Sequence, residues 1–195
     1  MGKNHFFAYM SRMKLIRRWS LMKSVYEEDI AQHSTQVAQI AHALALIKNT
    51  YFGGNLDANR VAVIALYHES GEVLTGDLPT PIKYYNPEIK KAYKAIESIS
   101  EDKLLTMMPK EMEKEYRDLL KADPESYEAV LVKAADKLAA YTKCLEELRS
   151  GNREYVNAEH ALKQAIDEFR KYEEVDYFCK TFLPSYSCTL DELDA

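Results

Sequence analysis

The segment from Ser126 to Arg149 constrains the fold of this chain more than any other. Val130, Leu131, Ala134, Ala135, Leu138, Tyr141 and Leu145 recur there at helical spacing and leave few polar positions on the inner side. A helix of that kind has to be covered by other helices, and Gly151 supplies its stop. Its neighbours follow the same period. Ile30, Val37, Ala41 and Leu44 form an amphipathic stripe from Asp29 to about Lys48, with His33 inside it. Asn55 and Asp57 offer cap chemistry before a second helix, in which Val61, Ala65, His68 and Glu72 fall on one face. Pro79 and Pro81 lack amide donors, which makes Thr75 to Pro81 a rigid loop. Asn86, Pro87 and Glu88 place a cap, a first-turn proline and a first-turn acid in order, starting a helix to about Thr106, and Pro109 opens a shorter one. A last helical pattern spans about Tyr155 to Thr181, with Leu162, Ala165, Ile166, Phe169 and Phe178 as its apolar positions, and ends before Pro184. No strand, repeat or low-complexity linker is legible. The expected fold is an all-α bundle, one domain over residues 1–195.

Composition narrows the function. With 47% hydrophobic residues and only six Gly and six Pro, the chain can bury a sizeable core. A net charge of −5 argues against a broad nucleic-acid surface. Arg12, Lys14, Arg17 and Arg18 fit a basic helix face around an anion pocket better than a nucleic-acid patch. Cys144, Cys179 and Cys188 lack close pairing motifs, which points to a reducing compartment, the cytoplasm. The longest apolar stretch, Val61 to Tyr67, is too short to span a bilayer, so no membrane partner is expected.

Four residues from three predicted helices carry chemistry only when taken together: His33, the adjacent His68 and Glu69, and Asp136. Each histidine alone reads as a satisfied core residue. Asp136 is harder to dismiss, because an aspartate in a nearly all-apolar helix suffers a large desolvation cost unless paired, hydrogen-bonded or coordinated to a metal. An ion pair to Lys133 or Lys137 is its structural alternative. Two imidazoles and two carboxylates inside a bundle suit a divalent transition metal. Such an ion could lower the pKa of water from about 15.7 toward about 7 and polarise a phosphoryl oxygen, which is what phosphomonoester hydrolysis needs. Glu72, one turn after His68, could then act as general base or acid; an exposed helix-end acid is the alternative. Thr80, on the loop that follows, could line the same pocket.

The order of His33, then His68 followed by an acid, then Asp136 matches the H…HD…D ligand set of the HD superfamily. The segment His68-Glu-Ser-Gly-Glu-Val-Leu-Thr-Gly-Asp-Leu-Pro-Thr-Pro81 resembles the signature of bacterial 5′-deoxynucleotidases of the YfbR type. Phe6-Phe-Ala, Leu15-Ile-Arg-Arg-Trp19, His33-Ser-Thr-Gln-Val and Lys143-Cys-Leu-Glu-Glu-Leu148 are similar to that family too, so the resemblance covers nearly the whole chain. It implies a homodimeric HD-type helical bundle that removes the 5′-phosphate from deoxyribonucleoside 5′-monophosphates, using a divalent cation such as cobalt, manganese or copper. It further implies His33, His68, Glu69 and Asp136 as metal ligands, Glu72 as the residue that handles the attacking water, and Arg18, Trp19 and Asp77 as substrate contacts. Arg18 could hold phosphate through its guanidinium fork, Trp19 could pack on the sugar and Asp77 could accept a hydrogen bond from a sugar hydroxyl. The ordinary readings are a surface arginine, a core tryptophan and a turn aspartate. Where the family pattern has aspartate, this chain has Glu69, one methylene longer, and altered metal geometry is the expected consequence. The alternatives are another HD-type nucleotide phosphohydrolase, a nucleotide-binding relative with weakened activity, and a purely structural bundle.

Overall fold

The computed structural model describes residues 4–79, 82 and 85–194. Its helices in chain order are α1 (Phe6–Met10), α2 (Ile30–Tyr51), α3 (Ala58–Tyr67), α4 (Glu72–Thr75), α5 (Pro87–Leu105), α6 (Lys110–Leu120), α7 (Tyr127–Arg149), α8 (Val156–Phe169), α9 (Glu173–Thr181) and α10 (Leu190–Leu193). Among the described residues there is no strand, only an isolated antiparallel bridge between Arg17 and Asp29, and no helix is long and apolar enough to cross a membrane.

The core forms where α2, α3 and α7 meet. Helix α2 starts at a capping box: the Asp29 carboxylate accepts from the amides of Ala31 and Gln32, and the Gln32 side chain accepts from the Asp29 amide. Such a cap contributes about 1 kcal/mol and fixes where the helix begins, and hence where His33 points. Helix α7 starts at Ser126, whose hydroxyl accepts from the Ala129 amide, and stops before Gly151, where φ is +84°. The apolar side expected of α7 is buried: Leu131, Ala134, Ala135 and Leu138 share one core with Val37, Ala41 and Leu44 of α2 and Val61 and Ala65 of α3. A smaller cluster joins Phe6 of α1 to Leu104 and Leu105 of α5 and Leu120 of α6. Asn86 caps α5 and Pro109 precedes α6, as their positions in the sequence predict.

Two expected helices are interrupted. Asp57 rather than Asn55 caps the second, and that helix ends at Tyr67. Residues 68–71 continue as tight turns in which the amides of Ser70 and Glu72 donate to the carbonyls three residues back, Tyr67 and Glu69. Val61, Ala65, His68 and Glu72 therefore do not share one α-helical face. At three residues per turn, Glu69 and Glu72 come to the same side instead. Ser70 and Gly71 are weak helix formers, and Gly71 lies against α5, where a Cβ would meet the Glu97 carbonyl at 3.5 Å. The last helical pattern is also split, at Arg170 to Tyr172, into α8 and α9. The redirection lets α9 bury Glu174, Val175 and Phe178, with Glu174 accepting from the Tyr127 hydroxyl at 2.5 Å and facing Lys48 at 3.6 Å.

Ahead of α2, the backbone of residues 16–18 pairs with residues 28–30: the Arg18 amide donates to the Glu28 carbonyl at 2.9 Å and the Ile30 amide to the Ile16 carbonyl at 3.1 Å. The intervening loop is clamped onto α7 by Glu147. This fully buried carboxylate accepts from the amides of Val25 (2.8 Å) and Tyr26 (3.1 Å), from Asn152 (2.7 Å) and from Lys143 (2.5 Å), while Lys143 also donates to the Tyr26 carbonyl. Burial alone would raise the Glu147 carboxyl, but Lys143, the Val25 and Tyr26 amides and Asn152 hold it down to about 2. Glu147→Ala leaves the Lys143 ammonium buried without its counter-charge and is expected to lower unfolding free energy by about 3 kcal/mol in urea titrations at neutral pH. Because the folded pKa lies below the ordinary 4.5, this contribution is present above pH 4.5 and is lost as pH falls toward about 2, so the gap between wild type and variant should shrink over that range.

Candidate metal centre

His33 enters the core from the first turns of α2, His68 and Glu69 from the turn that closes α3, and Asp136 from the middle of α7. One possible ligand atom from each of these four residues lies within 4.8 Å of all the others. His33 Nε2 is 2.9 Å from Asp136 Oδ1 and 3.7 Å from Glu69 Oε1, and His68 Nε2 is 3.9 Å from Glu69 Oε1. His68 donates its Nδ1 proton to the Ala65 carbonyl at 2.6 Å. In the neutral ring that burial favours, Nε2 is then a bare lone pair, and it is buried with no hydrogen-bond partner, as is Glu69 Oε2. Unmet acceptors facing carboxylates in a buried site fit a cation, and the donor set of imidazole nitrogen and carboxylate oxygen fits a divalent transition metal.

The electrostatics agree with that fit. Burial pushes the His68 imidazolium pKa down, which favours the neutral ring a metal needs. Burial by itself would raise the Asp136 carboxyl, yet the hydrogen bond with His33 and the nearby Lys137 and His68 hold it well below the usual carboxylate range. The ion pair weighed as an alternative role for Asp136 is present alongside the cluster: Lys137 meets Oδ2 at 2.9 Å while Oδ1 faces His33. Lys133 instead donates to the Pro124 carbonyl.

Glu72 is 4% exposed, so it is not a solvated helix-end acid, and it lines one cavity with His68, Glu69, Gly71, Glu97, Glu101 and Asp136. Glu97 and Glu101, one turn apart on α5, had no signal in the sequence beyond the spacing of a solvated face. Burial pushes the Glu101 carboxyl up to about 7 against the pull of Lys121, and Glu97 and Asp102 add to the rise. Arg18 is largely covered rather than out on the surface: Nε donates to Glu28 Oε2 at 3.0 Å and Nη1 to Glu69 Oε1, and Asp77 lies within electrostatic reach of it. Trp19 holds φ at +58°, a left-handed conformation that costs a bulky residue on the order of 1–3 kcal/mol. Its indole N–H donates to the same Glu28 oxygen at 2.9 Å and its ring packs on Tyr155 at 5.2 Å. Arg18 thus touches the cluster directly, Trp19 joins it through Glu28, and Thr80 lies outside the described residues. Glu28 escaped the sequence reading because it belongs to no periodic segment.

Comparison with known proteins gives a consistent result. Residues 5–186 match the family model described as 5′-deoxynucleotidase YfbR-like. A 5′-deoxynucleotidase of Vibrio vulnificus (strain YJ016) is 55% identical over 194 residues, covering 99% of this chain and 100% of the relative. One from Vibrio cholerae serotype O1 is 54% identical over 196 residues, covering 99% and 100%. Among solved structures, an HD-domain phosphohydrolase from Listeria innocua is similar with a TM-score of 0.84 at 24% identity, over 100% of this chain and 94% of that one. The cyanophage S-2L HD phosphohydrolase, bound to dA and one catalytic Zn2+ ion, gives a TM-score of 0.68 at 21% identity over 93% and 96%. At these identities the two structures establish a shared helical fold.

Two outcomes are expected. Zn2+ or Co2+ at a hundredfold excess over its Kd should stabilise the folded protein by about 2.7 kcal/mol, read as a rise in Tm, and Asp136→Asn should lose most of that rise; a variant with the full rise would place the ion elsewhere. Separately, ionising Glu101 costs stability as pH climbs from about 4.5 to about 7, because its folded pKa lies above its ordinary value. Urea midpoints of Glu101→Gln should therefore pull ahead of wild type across that window and stay ahead above it.

Proposed function

Because the chain belongs to the YfbR-like 5′-deoxynucleotidase family, by a match over residues 5–186 and full-length relatives at 54–55% identity, we propose that it removes the 5′-phosphate from deoxyribonucleoside 5′-monophosphates at a divalent-metal site. We assign His33, His68, Glu69 and Asp136 as the residues that hold the cation. The observation that carries this assignment is the buried Nε2 of His68, which faces the carboxylates with no hydrogen-bond partner while the Ala65 carbonyl engages Nδ1.

A bound divalent cation supplies positive charge that acidifies water and polarises a phosphoryl oxygen. Glu72 takes the proton of the attacking water on its carboxylate and returns it to the 5′-oxygen of the departing deoxynucleoside. Two of the five Arg18 N–H groups are engaged by Glu28 and Glu69, and the remaining donors bind phosphate oxygens. Trp19 packs on the sugar and Asp77 accepts from a sugar hydroxyl. Glu69, in the place where the family pattern has aspartate, keeps an oxygen in the cluster while also meeting Arg18. Its extra methylene alters metal preference without removing the ion. The family resemblance further supports cobalt, manganese or copper as that ion, and a homodimeric, single-domain, cytoplasmic protein.

The test is phosphate release from paired deoxyribonucleoside and ribonucleoside 5′-monophosphates, using chelator-stripped protein with single metals restored. Metal-dependent release from the deoxy substrates is expected, equal ribo and deoxy rates would overturn sugar selection, and no release with any metal would overturn the hydrolase. Glu72→Ala should reduce kcat by about 10²–10⁴-fold while metal and substrate still bind, and unimpaired turnover would remove Glu72 from the mechanism.

A further inference from the structure

We propose that Glu28 is a positioning residue that sets the metal side and the phosphate side of the site together. It does so by anchoring Arg18 and Trp19 with one carboxylate oxygen and facing Nδ1 of His33 with the other, where it favours the proton that a cation on Nε2 displaces. The proposal rests on the assignment of His33 as a ligand and Arg18 as a phosphate contact.

Glu28 is 6% exposed and His33 is fully buried. Glu28 Oε2 accepts from Arg18 Nε at 3.0 Å and from Trp19 Nε1 at 2.9 Å, while Oε1 lies 4.0 Å from His33 Nδ1. That nitrogen is buried without a hydrogen-bond partner, and Glu28 is the acid paired with it. At this separation there is no hydrogen bond, and a movement of about 1 Å would form one. In the cluster as it stands Nε2–H donates to Asp136 Oδ1 at 2.9 Å, so a cation on Nε2 requires that proton to sit on Nδ1 instead, and a carboxylate on that side favours it there. The Ala65 carbonyl already holds the His68 proton at Nδ1 through a hydrogen bond of 2.6 Å.

The backbone makes Glu28 a fixed reference for both sides. Pairing of residues 16–18 with 28–30 sets its distance to Arg18, and the Asp29 cap, whose carbonyl accepts from the His33 amide at 3.1 Å, sets its relation to the first turn of α2. Arg18 lies between two carboxylates, Glu28 outside the cluster and Glu69 within it. Neutralising Glu28 releases the guanidinium toward Glu69, which draws that carboxylate away from the cation, and it removes the charge that favours the His33 proton on the outer nitrogen. Trp19 also loses the contact that holds its left-handed backbone.

Glu28→Gln keeps the size and removes the charge; Glu28→Asp keeps the charge. In folded protein, Glu28→Gln should weaken the Zn2+ Kd, read by chelator competition without nucleotide, by about 10–100-fold, with Glu28→Asp recovering part of the loss. The KM for deoxyadenosine 5′-monophosphate should rise more than kcat falls. An unchanged zinc Kd or an unchanged KM in folded Glu28→Gln would overturn the joint role. If Glu28→Gln does not fold, the His33 ring decides: two-bond proton–nitrogen correlations of the zinc-loaded wild type should show Nδ1 protonated, and a proton on Nε2 would overturn the proposal. Zinc affinity and tautomer are read without turnover. A wild type that binds zinc but hydrolyses no deoxynucleotide would therefore sink the functional reading and the phosphate side of this one, and leave its metal side standing.

Discussion

Asp136 is an ionised carboxylate on α7, a helix whose inner side is apolar and buried, and much of the site can be understood as compensation for it. Desolvation would neutralise an isolated aspartate there. His33 and Lys137 answer one oxygen each, at 2.9 Å. Among the described residues the surroundings still carry an excess of negative charge, since Glu28, Glu69 and Asp136 gather around the Arg18 guanidinium and the Lys137 ammonium. That imbalance is what a bound divalent cation corrects. It also explains why the inward-facing histidine nitrogens matter more than any single ion pair.

Holding those groups in place falls to elements that take no part in the chemistry. The capping box at Asp29 sets the start of α2, and the Glu147 clamp ties the loop before it to α7 through backbone amides that would otherwise be solvated. Buried charge pairs of this kind add little net stability against an apolar replacement, but breaking one is costly, so they act as geometric locks. The left-handed Trp19 is consistent with such a lock: strain in a bulky residue persists where several contacts over-determine it.

Family membership and geometry answer different questions. Membership identifies the class of reaction, while geometry decides which atoms are available to perform it. Glu69 shows the difference. As a longer acid than the family pattern it could have left the cluster, yet its oxygen stays among the histidines because Arg18, itself anchored by Glu28, holds it there.

The helices, their caps and the buried side of α7 were legible in the sequence, since period, Ser126, Asp57 and Asn86 act over a few residues. So was the conjunction of His33, His68, Glu69 and Asp136, because buried ionisable residues stand out against an apolar stripe. The turn at 68–71 and the break at 170–172 were not legible: a spacing of four residues fits an unbroken helix as well as an interrupted one, and only packing on α5 and on α2 distinguishes them. Glu28, Glu97 and Glu101 were hidden for a related reason. Their sequence neighbours say only that they are charged and near a helix. Which cavity or partner each one faces depends on loop pairing and helix packing between segments far apart in the chain, and electrostatic energy depends on distance in space, which local sequence does not carry.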